Sequence, residues 1–143
     1  MFTVLRSSAG AGKTHALVRR YVMLCLRSSD TSAYRHLLAI TFTNKAASEM
    51  KERVLMYLAA LAAGSDEPAV NDVRDHIVQK AEIDADTTRV RAAATRRHML
   101  HHWSDISIHT IDAFTRRVVQ PFSRDLRIDH DLRMTTEEEY YRG

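Results

Sequence analysis

Residues Ser7 to Thr14 have the types and spacing of a phosphate-binding loop. The segment reads Ser-Ser-Ala-Gly-Ala-Gly-Lys-Thr and lies between an apolar run at residues 2–5 and a stretch with apolar residues at helical spacing. Small residues let consecutive backbone N–H groups point at a polyphosphate, to which Lys13 adds a positive charge, and the Thr14 hydroxyl can coordinate Mg²⁺. The pattern predicts a site for ATP and Mg²⁺ formed by Ser8, Ala9, Gly10, Ala11, Gly12, Lys13 and Thr14.

One feature of this loop keeps a second interpretation open. Ser7 stands where the first glycine of the Gly-x4-Gly-Lys-Ser/Thr pattern belongs. The alternative is a small-residue turn in which Lys13 only caps a surface helix. The strand-like run before the loop and the helical pattern after it favour the nucleotide site, in which Lys13 and Thr14 are the residues that act in catalysis.

Composition and length bound the class of protein. The chain has 143 residues, of which 45% are hydrophobic and 27% charged, as expected for one globular domain. An apolar run of membrane-spanning length and a signal-peptide pattern are both missing from the sequence, which predicts a cytoplasmic protein with no membrane partner. Cys25 is the single cysteine, and we expect it to be a buried apolar residue on the first helix.

The order of patterns predicts alternating strands and helices. A second strand at residues 37–40 leads into a helix from Lys45, with Ala47, Met50, Val54, Leu58 and Leu61 on its apolar face. Polar helical stretches follow at about 71–81 and 88–103, and a short strand is predicted at 106–108. Because these polar stretches lack the apolar periodicity needed to cover a sheet, residues 65–104 are expected to form a helical insertion.

Basic residues are concentrated late in the chain. Residues 88–128 contain eight arginines against three aspartates, a net charge of +5, whereas residues 129–139 carry −4. Arginine pairs well with phosphate, so the first region could contact a nucleic-acid backbone, but ordinary solvated helix faces are an equal alternative. His98, His101 and His102 could suggest a metal site, although surface histidines are the preferred interpretation because neighbouring carboxylate or cysteine ligands are missing from the sequence.

Residues 38–54 read Leu-Ala-Ile-Thr-Phe-Thr-Asn-Lys-Ala-Ala-Ser-Glu-Met-Lys-Glu-Arg-Val and closely resemble motif Ia of the UvrD/Rep/RecB-type superfamily 1 DNA helicases. The loop Ser-Ala-Gly-Ala-Gly-Lys-Thr is most similar to the RecB/AddA branch of that family. Residues 108–114, Ile-His-Thr-Ile-Asp-Ala-Phe, resemble the family's Thr-x-His-Ser-Phe DNA-contact motif. The three motifs occur in the family's order and cover about a third of the chain.

The resemblance implies an α/β fold of the P-loop NTPase (RecA-like) type, a parallel sheet flanked by helices with a helical insertion. Residues 1–143 would be the N-terminal part of the ATP-binding (1A) domain, and residues 65–104 a 1B-like insertion. It also implies an ATP-dependent helicase or translocase acting on DNA in recombination or repair. The implied partners are single-stranded DNA, the remaining segments of the same motor and a partner subunit of a helicase-nuclease.

The expected DNA contacts are Thr41, Phe42, Thr43, Asn44 and Thr110. Hydroxyl, amide and free N–H groups at the end of a strand and the start of a helix can hold phosphates, and the Phe42 ring offers a face to a base. Two alternatives stay open from the sequence. Phe42 could instead end a buried strand, and Thr110 could cap the next helix instead of binding phosphate.

Several departures from the family pattern limit the expected activity. Asp112 stands where many members have histidine, and an upstream glutamine motif that reads adenine is missing from the sequence. The sequence also contains no apolar strand ending in Asp-Glu, the pair that would hold Mg²⁺ and orient water. We therefore expect an incomplete motor domain, which binds ATP but does not turn it over by itself. The alternatives are a stand-alone small P-loop kinase and a non-catalytic nucleotide-binding module.

Overall fold

The computed structural model describes the backbone of residues 11–125 and the side chains of residues 14–122. The chain divides into two compact units, one ending at Thr110 and the other beginning at Ile111. The first unit contains α1 (Ala11–Arg27), β1 (Ala39–Thr41), α2 (Asn44–Ala63), α3 (Pro68–Ala81), α4 (Ala85–His101) and β2 (Ile108–Thr110). The second contains α5 (Ile111–Asp125), which has Pro121 inside it. In the described part of the chain, no helix is long and apolar enough to cross a membrane.

The described sheet has two parallel strands. β1 pairs with β2 so that Ala39, Ile40 and Thr41 lie opposite Ile108, His109 and Thr110. α2 packs against both strands. The fold is therefore α/β and mostly helical. The first predicted strand, residues 2–5, lies outside the described residues.

The predicted position of the last strand, 106–108, is wrong by two residues. A short 3₁₀ turn at Trp103–Asp105 uses the Ile106 N–H, which donates to the Trp103 carbonyl at 3.3 Å. The ladder can begin only after that turn, and the first cross-strand bond runs from the Ala39 N–H to the Ser107 carbonyl. The shift places Thr110 inside β2, which ends at that residue.

The apolar face predicted for α2 is confirmed. The five residues that recur at steps of three and four are all buried: Ala47, Met50, Val54, Leu58 and Leu61. α2 ends at Gly64, whose φ of 69° lies in the left-handed region that glycine adopts without steric cost. The N–H groups of Gly64 and Ser65 donate to the Leu61 and Ala60 carbonyls and so close the last turn.

The two polar helices, which were predicted not to cover a sheet, each bury a face against other helices. α3 buries Val70, Val73 and Ile77, and α4 buries a stripe of small and polar residues together with one methionine: Thr88, Ala92, Thr95 and Met99. α3 packs against α1, and α4 against α2. A threonine can be buried in such an interface because its hydroxyl can form a hydrogen bond with a nearby backbone carbonyl. The Thr88 hydroxyl donates to the Asp84 carbonyl at 2.9 Å.

Asp84 begins α4 and explains where this helix starts. Its carboxylate accepts a hydrogen bond from the Thr87 N–H at 2.6 Å. Hydrogen bonds from Thr87 hold the pKa of Asp84 below its ordinary value. The negative charge also lies at the positive end of the helix dipole, so Asp84 favours the first turn in two ways.

Two arginines of the basic region have a structural role. Arg91 donates to the carbonyls of Leu26 and Arg27, at 2.9 Å each, and so caps the end of α1. Arg89 donates to the Ala62 carbonyl at 3.0 Å, at the end of α2. A cation at the carboxyl end of a helix is favourable because of the helix dipole. These two arginines therefore each use one nitrogen in the fold, and a phosphate contact of the basic region stays a prediction.

Two of the buried core tyrosines, Tyr34 and Tyr21, have different polar surroundings. The Tyr34 hydroxyl bonds to Nδ1 of His98 at 2.9 Å. The Tyr21 hydroxyl is buried with no hydrogen-bond partner among the described residues, and burial raises the Tyr21 pKa. Cys25 is fully buried as predicted, and burial raises the pKa of its thiol.

This difference gives a stability prediction. Tyr34→Phe should lower the free energy of unfolding by about 0.5–1.5 kcal/mol because it removes a hydrogen bond and leaves the His98 nitrogen unpaired. Tyr21→Phe should leave stability unchanged or raise it, because it removes an unpaired buried hydroxyl. Urea unfolding of both variants tests the pair. A larger loss for Tyr21→Phe than for Tyr34→Phe would contradict the assignment.

Candidate functional site

Two of the predicted DNA-contact residues meet at one edge of the sheet. Thr41 and Thr110 are register partners at the carboxyl ends of β1 and β2. Ligands of parallel α/β sheets bind at this edge, where strands lead into loops and helices. Thr110 is 7% exposed, whereas the loop after Thr41 is open to solvent. The part of this edge that a ligand in solvent can reach is therefore mainly the segment between β1 and α2.

The Thr41 hydroxyl is directed into the protein. It donates to the Thr43 carbonyl at 3.2 Å and faces the His109 carbonyl at 3.4 Å. One hydroxyl has a single hydrogen, which these two carbonyls share, so it is not available to a phosphate without breaking a loop bond. In this arrangement Thr41 fixes the shape of the loop and ties it to β2.

Thr43 provides the N-cap of α2. Its hydroxyl oxygen accepts from the Ala46 N–H at 3.1 Å, so its own hydrogen remains available to a ligand. The next N–H groups, at Asn44 and Lys45, begin the helix and cannot have partners within it. Thr43 and Asn44 are both exposed. A 20-residue helix thus presents unpaired N–H groups, a hydroxyl and its positive dipole end to solvent.

Phe42 lies in the same loop and is 82% exposed. The alternative in which its ring ends a buried strand is therefore wrong. An exposed aromatic ring can stack on a base, and free N–H donors beside it can bind the phosphate of the same strand. The stacking role itself stays a prediction.

Lys45 was not among the residues predicted from the sequence, yet it lies at the same helix start. Its side chain is 86% exposed, and its closest acid is Glu49, at 3.9 Å between Nζ and Oε1. Such an exposed pair is weak. Lys45 follows Asn44 directly within the motif, and this position could have identified it as a further candidate contact.

The predicted nucleotide loop is described only at its end. Ser8, Ala9 and Gly10 lie outside the described residues, and α1 begins at Ala11. The backbone of Ala11, Gly12, Lys13 and Thr14 thus forms the first helical turn, and the Thr14 side chain is half-buried. The first four N–H groups of a helix lack internal acceptors, so this turn suits a phosphate.

A hydrogen-bonded cluster that the sequence analysis missed begins at the residue after Thr14. His15 contacts Tyr57 on α2 through Nδ1, at 3.1 Å, and Asp72 on α3 through Nε2, also at 3.1 Å. Arg19 also binds Asp72, at 3.0 Å. The hydrogen bond from His15, with that from Arg19, holds the pKa of Asp72 below its ordinary value. These residues are far apart in sequence, so spacing gave no signal for the cluster.

The histidines near the end of α4 are used by the fold. His98 bonds to Tyr34 and stacks on His102 with ring centroids 4.3 Å apart. Burial, followed by the charge of His102, lowers the pKa of His98. Within the described residues, no group of three or more histidine, cysteine or acidic side chains could hold a metal. The interpretation of these histidines as residues that bind no metal stays a prediction.

These features define an α/β protein in which two parallel strands lead into helices at an open edge. The chain belongs to the family described as the UvrD/REP helicase N-terminal domain, whose model matches residues 2–142. The resemblance found in the sequence is thereby confirmed. The alternative of a stand-alone small kinase has no support from this match.

Individual relatives agree with the family. The chain is 55% identical over 51 residues to the ATP-dependent DNA helicase PcrA of Staphylococcus aureus, a match covering 36% of this chain and 7% of that protein. It is 28% identical over 134 residues to a Lactiplantibacillus plantarum protein named as one of the subunits of an ATP-dependent helicase/nuclease, covering 94% of this chain and 9% of that protein. The same-named protein of Latilactobacillus sakei is 39% identical over 67 residues, covering 47% of this chain and 7% of that protein.

The chain spans less than a tenth of the length of these relatives. The comparison with solved structures found no significant match.

Proposed function

We propose that this chain is the ATP-binding N-terminal part of an ATP-dependent DNA helicase or translocase, and that its β1–α2 loop contacts single-stranded DNA. The observation that carries the proposal is the start of α2, where exposed Phe42 lies beside a capped helix end with free N–H groups. Family membership supports the DNA assignment. The relatives named as an ATP-dependent helicase and as an ATP-dependent helicase/nuclease subunit support the use of ATP.

The nucleotide site in this proposal comprises Ser8, Ala9, Gly10, Ala11, Gly12, Lys13 and Thr14. Lys13 neutralises the outer phosphates, and Thr14 coordinates the Mg²⁺ that accompanies ATP. The first turn of α1 fits a phosphate ligand, because a helix start offers free N–H groups and the positive end of the helix dipole.

The DNA site comprises Thr41, Phe42, Thr43, Asn44 and Thr110, to which we add Lys45. Thr43 and Asn44 donate to a phosphate, Lys45 adds charge, and Phe42 stacks on a base. Thr41 and Thr110 hold the edge from which the loop extends, Thr41 through its bonds to Thr43 and His109. None of these contacts reads base edges, so we expect binding independent of sequence.

The wider architecture follows from the same proposal. The two described strands belong to a RecA-like P-loop sheet, and residues 65–104 form a 1B-like insertion carrying α3 and α4. The protein acts in the cytoplasm in recombination or repair. The helicase/nuclease names of two relatives support a helicase-nuclease assembly that includes a partner subunit.

The proposal is tested by DNA binding of two variants matched in charge. Lys45→Ala should weaken binding of fluorescent oligo(dT), and the slope of log affinity against log salt should fall by about 0.7, the value for one single-strand phosphate contact. Lys80→Ala removes an exposed lysine from the end of α3 and should change neither quantity. Equal effects of the two substitutions would show that only net charge matters and would contradict the site.

A further inference from the structure

The His15 cluster joins three helices at the start of α1. The His15 imidazole lies between the Tyr57 hydroxyl, on α2, and the Asp72 carboxylate, on α3. Its ring also meets the Tyr57 ring edge-to-face, with centroids 5.8 Å apart. Arg19, one turn further along α1, places Nη1 at 3.0 and 3.2 Å from the two oxygens of Asp72. One face of α1 is thus fixed by directional bonds to α2 and α3.

The chemistry of the partners determines the proton positions in neutral His15. An ionised carboxylate can only accept, so Nε2 must carry the hydrogen that is donated to Asp72. Nδ1 is then an acceptor, and the Tyr57 hydroxyl donates to it. Asp72 is ionised at neutral pH, since the bonds from His15 and Arg19 lower its pKa. The Tyr57 hydroxyl, the two His15 ring nitrogens and the Asp72 carboxylate therefore all have matched partners, which fixes the orientation of the ring. Arg19 contributes through Nη1, whereas its Nε is buried with no hydrogen-bond partner among the described residues.

We propose that His15 is a positioning residue of the nucleotide site: its bonds to Tyr57 and Asp72 hold the first turn of α1, and with it Lys13 and Thr14, in the orientation that binds phosphate. The inference rests on the proposed function, because it assumes that this turn binds ATP. It adds a role for a residue outside the phosphate-binding loop itself. His15 follows Thr14 directly, so any rotation of the first turn moves both residues together.

Because the His15 cluster is partly exposed, its effect on nucleotide binding can be measured apart from its effect on folding stability. The side chains of His15 and Asp72 are 33% and 49% exposed. Contacts between partly exposed charged groups contribute little to the free energy of folding. Their removal should therefore leave the fold intact while loosening the helix start, where binding of a multiply charged ligand depends on the direction of several donors.

The experiment measures the affinity of the chain for ATP·Mg²⁺ by calorimetry, together with thermal unfolding and oligo(dT) binding. His15→Ala should weaken ATP binding about threefold to tenfold, the loss expected for one or two hydrogen bonds. The midpoint of unfolding and the affinity for DNA should stay close to those of the unaltered chain. A general loosening of the fold would lower all three quantities together and would overturn the proposal.

Two conservative variants test the separate bonds. Glutamine places an N–H donor where Nε2 lies and can still reach Asp72, whereas asparagine places an acceptor where Nδ1 lies and can still reach Tyr57. His15→Gln and His15→Asn should each recover part of the ATP affinity lost in His15→Ala. Failure of both to recover any affinity would overturn the assignment of these bonds.

A matched pair on α3 provides the control. Asp72→Ala should weaken ATP binding, whereas Asp75→Ala removes another exposed charge from the same helix and should leave it unchanged. Equal losses would show a general charge effect and would overturn the proposal.

The unaltered chain separates the proposed function from the positioning role of His15: if this chain does not bind ATP, the proposed function fails. If it binds ATP and His15→Ala binds equally well, only the positioning role fails.

Discussion

Replacing Lys13 with alanine is expected to weaken binding of ATP·Mg²⁺ about tenfold to a hundredfold. One lost charge-assisted hydrogen bond to phosphate corresponds to about 1.5–3 kcal/mol. The ammonium group acts on the outer phosphates, so the loss should be larger for ATP than for AMP. Calorimetric titration of both nucleotides with both proteins measures the effect.

Lys80→Ala is the control for this substitution, because it removes a lysine from the exposed end of α3. Its affinity for ATP should match that of the unaltered chain. Equal affinity of Lys13→Ala and the unaltered chain would contradict the nucleotide site itself. An equal loss for ATP and AMP would instead contradict the contact between Lys13 and the outer phosphates.

The elements that were predicted well from the sequence are those in which apolar residues repeat at a fixed period. The five apolar residues of α2 are all buried because a stripe at steps of three and four must face a core. The parallel pairing of the strands around residues 39 and 108 also follows from strand and helix alternation. The stripe on α2 depends on few long-range contacts, so a single sequence is enough to find it.

The features that the sequence did not reveal arise where tertiary contacts compete with local pattern. β2 begins at Ile108 because a preceding 3₁₀ turn uses the Ile106 N–H, a choice that apolar content does not reveal. α4 packs through alanine and threonine, which hydrophobicity alone does not mark as a core face. The arginines at 89 and 91 bind carbonyls at the ends of α2 and α1, partners 27 and 64–65 residues away in sequence.

The sequence motifs predicted which segment forms the candidate DNA site, whereas the contacts inside that segment depend on the folded chain. The motifs drew attention to the β1–α2 loop and to Thr110, which lies opposite Thr41 in the neighbouring strand. The inward direction of the Thr41 hydroxyl depends on the carbonyls of Thr43 and His109, which only the folded chain brings near. The His15 cluster likewise joins residues 42 and 57 positions apart.

Replacing Phe42 with alanine is expected to lower the affinity for single-stranded DNA by about 1–3 kcal/mol, the value of one base stacked on an aromatic ring. Folding stability should change by no more than about 0.5 kcal/mol, since an exposed ring contributes little to the core. The 82% exposure of Phe42 makes this separation possible, because a buried phenylalanine would cost about 3–5 kcal/mol of stability. Oligo(dT) titration and urea unfolding of the same variant measure the two quantities.

Two further variants determine whether stacking is the cause. Phe42→Trp keeps an aromatic face and should retain DNA affinity, because any base can stack on an indole as well as on a phenyl ring. Met56→Ala removes another exposed apolar side chain, further along α2 and away from its first turn, and should leave DNA binding unchanged. Loss of stability in Phe42→Ala with normal DNA affinity would assign the ring to folding. Equal DNA losses in Phe42→Ala and Met56→Ala would show that exposed apolar surface, and not a stacking platform at the helix start, is what the DNA contacts.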